Sequence, residues 1–365
     1  MNYYDLNIAR ALVENGMDVT LYTCDKTQLP KYLSFSIKRN FKGIWGGAPK
    51  YYRAFRYILG LFNSFMDAKL KKIRVLHFHF FHYTWLEKIS ISMARVAGFK
   101  TVITVHDVES FIGLKDTKFI NEILLRADKL ISHNIISQKQ ILQKTSVAFD
   151  KISVIPHGNY LSDIPYKINS ISARKKLDLP VEGFILLFFG QIKKVKGLDI
   201  LLNALPDVIK KYPKTYLVIA GKVWKDTFSQ YETIIQDNKL TENIMAHIRY
   251  IPDDQVPLYY NAANTIVLPY RRIYQSGVLL MAMSYKKPVI ASNLDGMSEI
   301  VEHGKNGLLF KSENPKSLSD EIIHAIENPD LLNAIACSGL ETVLRCHDWD
   351  LIGKKTADLY QNVSK

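Results

Sequence analysis

Two stretches of this sequence, FILLFFG at 184–190 and YLVIAG at 216–221, carry an unbroken apolar run onto a glycine. Runs of this kind are strands covered on both faces, and such strands belong to parallel sheets wrapped by helices. The alternation of strand, polar turn and helix extends through the chain on both sides of them, so the expected fold class is α/β with parallel sheets. At 365 residues the chain exceeds one ordinary core. Two domains are expected, 1–160 and 161–348, with 349–365 as a final amphipathic helix.

The first half opens on a helix, Asp5–Glu14, followed by a strand over Asp18–Thr23. A doubly wound domain should instead begin on a strand whose glycine-bearing turn feeds its first helix. No such strand precedes Asp5, which leaves a shortened reading frame and a chain that does without it both open. Further strands are expected at Arg74–Phe80, Lys100–Val105, Lys129–Ser132 and Ile152–Ile155, with helices at Trp85–Ala97 and Ser137–Ala148 between them. His77 and His79 fall on one face of their strand and read as a buried, satisfied pair, because no third ligand at zinc spacing follows. His106 and the residues Asp107–Ser110 lie just past a strand end, where α/β folds place their ligands, so His106 is a candidate site residue.

The net charge of +13 is unevenly spread. Lys31, Lys38, Arg39, Lys42, Lys50, Arg53, Arg56, Lys69, Lys71, Lys72 and Arg74 crowd one region, with Asp67 almost their only acidic neighbour. Tyr32, Phe35, Phe41, Trp45, Tyr51, Tyr52, Phe55 and Tyr57 are interleaved among them. An anionic membrane surface is the expected partner of residues 31–74, a solvated basic helix the plainer reading, and nucleic acid is not expected. No apolar run reaches the roughly 18 residues of a membrane span, and Asn2–Asp5 do not read as a signal peptide. Cys24, Cys337 and Cys346 are odd in number and show no paired spacing, so a reduced, cytoplasmic protein without a zinc site is expected.

In the second half, Leu161–Gly183 reads as the passage between domains. The strand at 184–189 then ends on Gly190, and a loop with Gln191, Lys193 and Lys196 leads into a helix at 198–210. A second strand closes on Gly221 and Lys222, His247–Ile251 is expected as a third, and Asp254–Asn261 as a short helix. The densest stretch runs from Leu268 to Glu299. Its strand Thr265–Leu268 is stopped by Pro269, a polar turn follows, and Gly277 opens an apolar helix over Val278–Met283. Gln275, Ser276 and Gly277 either cap that helix or gather its unpaired amides around an anion. Asp348 and Asp350 match an Asp-x-Asp metal motif in form, but their place before a helix points to capping. No Walker loop or intact GxGxxG occurs, which weighs against an ATPase or a nicotinamide enzyme.

Taken together, LLFFG with its lysine loop, LVIAG, LPYRRIYQSGVLLMAMSYKKPVIAS, DGMSEIVEHGKNGLLF and the interdomain VIPHGNY resemble glycosyltransferase family 4, in the subset with QSGV in the donor turn. The resemblance implies a GT-B fold of two Rossmann-like domains facing across a cleft, with the C-terminal helix crossing back to the first. It implies a retaining transferase that takes a hexose from a UDP- or GDP-sugar held by the second domain. The acceptor, a glycan or polyprenyl-linked glycan, falls to the first domain, in cell-surface polysaccharide synthesis at the cytoplasmic face of the membrane. No metal or other cofactor is implied. His106, Lys193 and Lys196 are the implied catalytic residues. Gly190, Gln191, Gly221, Lys222, Gln275, Ser276, Gly277, Val278 and Glu299 are implied to hold the donor. The chain departs from the family pattern where Gln191 follows the strand glycine instead of a basic residue. It departs again where Ile273 and Met281 replace two glutamates. The missing first strand and the missing glutamates leave open a non-catalytic subunit that binds a nucleotide or glycan beside a partner transferase.

Overall fold

The computed structural model describes residues 2–30, 32–80, 83–106, 118–164, 168–225 and 227–364. Lys31, Asp107–Ser110 and Pro165 of the sequence reading lie outside them. The chain divides into two units, Met1–Gly158 with His347–Lys365, and Asn159–Cys346.

The first unit begins with α1 (Asn2–Glu14), β1 (Thr20–Cys24), β2 (Ser36–Phe41) and α2 (Lys50–Leu70). It continues through β3 (Val75–Phe80), α3 (Trp85–Val96), β4 (Lys100–Val105), α4 (Lys118–Arg126), β5 (Lys129–Ser132), α5 (Ile135–Lys144) and β6 (Ile152–Val154). Strands β3-β4-β5-β6 form one parallel sheet in sequence order, and β1-β2 pair parallel in a second, two-stranded sheet. Strand β2 is unexpected from the sequence, because SIKRNF is polar and half exposed and its pattern is lost among the surrounding cations. Helix α3 starts on a capping box in which Thr84 and Glu87 satisfy each other's backbone amides.

The second unit comprises α6 (Ser170–Lys176), β7 (Phe184–Phe189), α7 (Leu198–Lys211), β8 (Thr215–Ala220), α8 (Ser229–Asp237), β9 (Ile244–His247) and α9 (Val256–Ala262). After them come β10 (Thr265–Leu268), α10 (Gly277–Ser284), β11 (Val289–Ser292), α11 (Asp295–Ser298), β12 (Leu308–Phe310), α12 (Pro315–Glu327) and α13 (Pro329–Cys346). Its six strands are parallel in the order β12-β11-β10-β7-β8-β9. Succession runs outward from β7 in one direction and from β10 in the other. The switch point therefore lies between these two neighbours, the place where open α/β sheets take their ligands. Ile185, Leu186 and Leu187 at the centre of β7 are fully buried, each side chain contributing on the order of 2 kcal/mol through removal from water.

Two expectations are corrected. The stretch 161–183 contains α6, which is anchored in the second unit rather than serving as a bare linker. Its Ala173 is buried in the core, and Arg174 donates to the carbonyls of Ala262, Val181 and Gly183. The strand expected at His247–Ile251 ends where that stretch begins, because β9 pairs with β8 through Ile244–His247 and the chain leaves the sheet before Pro252.

The last helix, α14 (Trp349–Ser364), joins the first unit, where Ile352, Ala357 and Leu359 share a core with Tyr4, Ile8 and Leu12 of α1. Asp348 caps it by accepting from the amides of Asp350 at 3.0 Å and Leu351 at 3.4 Å.

Candidate active site

In the second unit, Gly190, Gly221, Lys196 and Val278 come together at the switch point. Gly190, just past β7, has φ +102°, and a Cβ there would stand 3.3 Å from Lys196 Nζ and 3.6 Å from Val278 Cγ2. Gly221, just past β8, lies so close to it that a Cβ would fall 1.8 Å from the Gly190 carbonyl oxygen. Both strands therefore end in bare backbone. The chain then folds as a short ladder, with Ile192 N donating to Lys222 O and Trp224 N to Ile192 O.

The lysine loop is fixed against the end of β10. Arg271 N donates to Val195 O at 2.8 Å. The Arg271 guanidinium donates to Lys194 O and, in a two-pronged pair, to Asp199 at 2.8 and 2.6 Å, with Glu313 as a further partner at 3.1 Å. Planar two-pronged pairing fixes geometry as well as charge. The clamp carries Lys196 to within 5.1 Å of the buried Tyr270 ring, so the ammonium sits over an aromatic face. No residue of this clamp was foreseen in the sequence. Its signals were the double arginine after Pro269 and the acid in the first turn of α7.

Ser276 is the N-cap of α10, its hydroxyl accepting from Leu279 N at 3.2 Å. The first bond within the helix runs from Leu280 N to Ser276 O, so the amides of Gly277 and Val278 come before it. Capping and an amide-lined helix start are thus both realised in one turn. Tyr160 lies against it, its hydroxyl 2.7 Å from where a Gly277 Cβ would be. The Ile273–Tyr274 backbone packs on Gly296 of α11, and exposed Glu299 closes that helix. Lys193 diverges from this group, its ammonium 5.5 Å from the ring of Trp224. Gln191 and Lys222 are exposed on the same rim.

The first unit ends its strands differently. His79 in β3 and His106, His133 and His157 past β4, β5 and β6 form a row across neighbouring strands. His106 Nε2 is 3.1 Å from His79 Nδ1, and its Nδ1 is 3.1 Å from His133 Nε2. Both ring nitrogens of the predicted site residue are thus engaged by protein. Asp5 Oδ1 lies 2.9 Å from His79 Nδ1, and His133 Nδ1 donates to Ile155 O at 3.1 Å. The Tyr4 ring covers all four imidazoles, with centroids 4.7 to 5.3 Å away. Burial, reinforced by the neighbouring imidazoles, pulls His106 well below the ordinary histidine pKa. Burial also takes His133 down to about 3 and His157 to about 4. His77 is satisfied by Tyr360 and Thr104. Among the described residues no three acidic, histidine or cysteine groups converge as a metal site.

The class defined by two Rossmann-like units with a switch-point site in the second is the GT-B fold. Sucrose-phosphate synthase from Thermosynechococcus elongatus matches with a TM-score of 0.79, at 20% identity over 99% of this chain and 93% of that one. Anabaena HepE, solved with UDP-glucose, matches with a TM-score of 0.72 at 18% identity, over 90% of this chain and 86% of the other. The Glycosyltransferase Family 4 model matches residues 1–161, and the Glycosyl transferases group 1 model matches residues 169–340. The chain belongs to this glycosyltransferase family and is an enzyme of that kind. Its relatives include a D-inositol 3-phosphate glycosyltransferase of Thermobispora bispora, 22% identical over 99% of this chain and 89% of that one. An uncharacterized glycosyltransferase of Methanocaldococcus jannaschii is also 22% identical, over 97% of this chain and 92% of its own length.

Proposed function

We propose that the protein transfers a hexose from a UDP- or GDP-sugar to a hydroxyl of a glycan or polyprenyl-linked glycan. The anomeric configuration is retained, and the product is a cell-surface polysaccharide built at the cytoplasmic face of the membrane. The Asn159–Cys346 unit holds the donor and the Met1–Gly158 unit the acceptor. One observation carries this reading: Lys196, the bare backbone of Gly190 and the first turn of α10 meet at the switch point.

When the glycosidic bond breaks, negative charge develops on the diphosphate. A fixed ammonium and helix-start amides stabilise that charge most in the transition state. Lys196 supplies the ammonium, and Gly277 and Val278 the amides. Gly190 and Gly221 let the phosphates approach backbone that a side chain would block. Gln191, Lys193 and Lys222 line the rim, while Gln275 and Glu299 take the sugar hydroxyls. His106 is the first unit's proposed contact to the donor sugar. The UDP-glucose complex of Anabaena HepE supports a uridine donor, and a relative named for inositol phosphate supports a hydroxyl acceptor.

A panel of UDP- and GDP-hexoses, assayed with glycan and polyprenyl-linked acceptors, tests the proposal. Transfer is expected from one donor class, unchanged in EDTA because the ammonium and amides carry the charge. No turnover and no nucleotide affinity would sink it. Donor binding without turnover, with activity appearing only beside a second transferase, would decide for the non-catalytic subunit.

A further inference from the structure

Helix α2 is apolar on two faces, and the unit covers only one of them. Gly60, Leu61, Ser64, Phe65 and Ala68 are buried against the first unit. On the other side, Tyr51, Phe55, Leu59, Phe62, Met66 and Leu70 are each between 48% and 80% exposed. Their spacing of four, four, three, four and four residues confines them to an arc of about 100° along a helix about 31 Å long. A contiguous apolar stripe of this size on a protein surface marks a contact face.

The charge around the stripe identifies what covers it. Lys50 is exposed at the start of the helix, and Lys42, Lys72 and Arg74 are exposed in the segments that flank it in sequence. The helix's own acid, Asp67, is already engaged by Lys38, Lys71 and the Tyr22 hydroxyl. Exposed Trp45 stands just before the helix. Two copies of this chain meeting stripe to stripe would bring like charges together, which is unfavourable. A surface that is anionic outside and apolar within satisfies both features at once, since cations meet headgroups while the stripe enters the acyl boundary.

We infer that α2 lies in the plane of an anionic lipid bilayer, with its 51–70 stripe inserted and the flanking lysines and arginines on the headgroups. This goes beyond the donor chemistry and does not depend on it. Co-sedimentation of the full chain with phosphatidylcholine vesicles, with and without about 30% phosphatidylglycerol, tests it in the absence of any nucleotide-sugar. The protein is expected to pellet with the anionic vesicles only. The double variant Phe55→Ser/Phe62→Ser is expected to lose at least tenfold in partitioning at unchanged thermal unfolding, because both side chains face solvent. Lys50→Glu/Lys72→Glu should lose binding at low salt as well. Absence of wild-type binding to anionic vesicles would overturn the inference, as would undiminished binding by the serine variant. Light scattering that shows a wild-type dimer and a monomeric serine variant would assign the stripe to a second copy instead.

Discussion

The second unit ends β7, β8 and β10 on Gly190, Gly221 and Pro269, whereas the first places His79, His106, His133 and His157 at or just past the ends of β3 to β6. The architecture is shared and the equipment is opposite. Among the described residues, histidines 77, 79, 106, 133, 157 and 347 belong to the first unit and 247, 303 and 324 to the second. The described members of the row bond to one another or to backbone, and burial holds His106, His133 and His157 neutral near pH 7. Neutral imidazoles at His106, His133 and His157 offer an anion little, while Lys196 beside two side-chain-free strand ends offers charge and close approach. The sheets differ in the same sense. The second has its switch point between β7 and β10, and the first unit's four-stranded sheet runs in one direction only. On the proposed reading, fold alone does not make an anion site; the residues past the strand ends do.

The largest effect that would break this contrast is expected at Gly221. Gly221→Ala drives a Cβ to 1.8 Å from the Gly190 carbonyl at φ +154°. It should destabilise the second unit by about 3 kcal/mol or more, read by urea unfolding. A neutral substitution would mean that the two strand ends do not hold each other. Acid is expected to act on the other unit. His133 sits at about 3 and His157 at about 4 in the folded protein, against about 6.5 unfolded. Below 6.5 the unfolded chain takes up protons that the folded unit refuses. Stability is thus full above that pH and falls as pH drops toward 4 and then 3. His133 alone should cost about 2 kcal/mol between pH 7 and 5. Hydrogen exchange should show α1 and α14 opening on acidification before α7 and α10, with the slope reduced in His133→Phe. Earlier opening of the second unit would reverse the assignment.

Much of this contrast was readable in the sequence, and the unreadable part has a physical reason. Strands β7, β8 and β10 were plain because their apolar runs are buried on both faces and stopped by Gly190, Gly221 and Pro269. The histidine row was not, since His79, His106 and His133 stand 27 residues apart and meet only through the parallel register of their strands. A histidine recurring near one expected strand end after another was the available signal. Arg271 was missed for the same reason, as its partner Asp199 is 72 residues away. Helix α6 hid in a polar stretch because only Ala173 and the Arg174 clamp commit it to the core.

Calorimetric titration of UDP and GDP into the wild-type protein, Lys196→Ala and the exposed control Lys210→Ala tests the central claim most directly, that the second unit holds a nucleoside diphosphate at Gly190, Lys196 and Ser276. Saturable binding of one nucleotide is predicted, weakened about 10- to 100-fold by Lys196→Ala and unchanged by Lys210→Ala. No binding to the wild type, or equal binding by both variants, would contradict it.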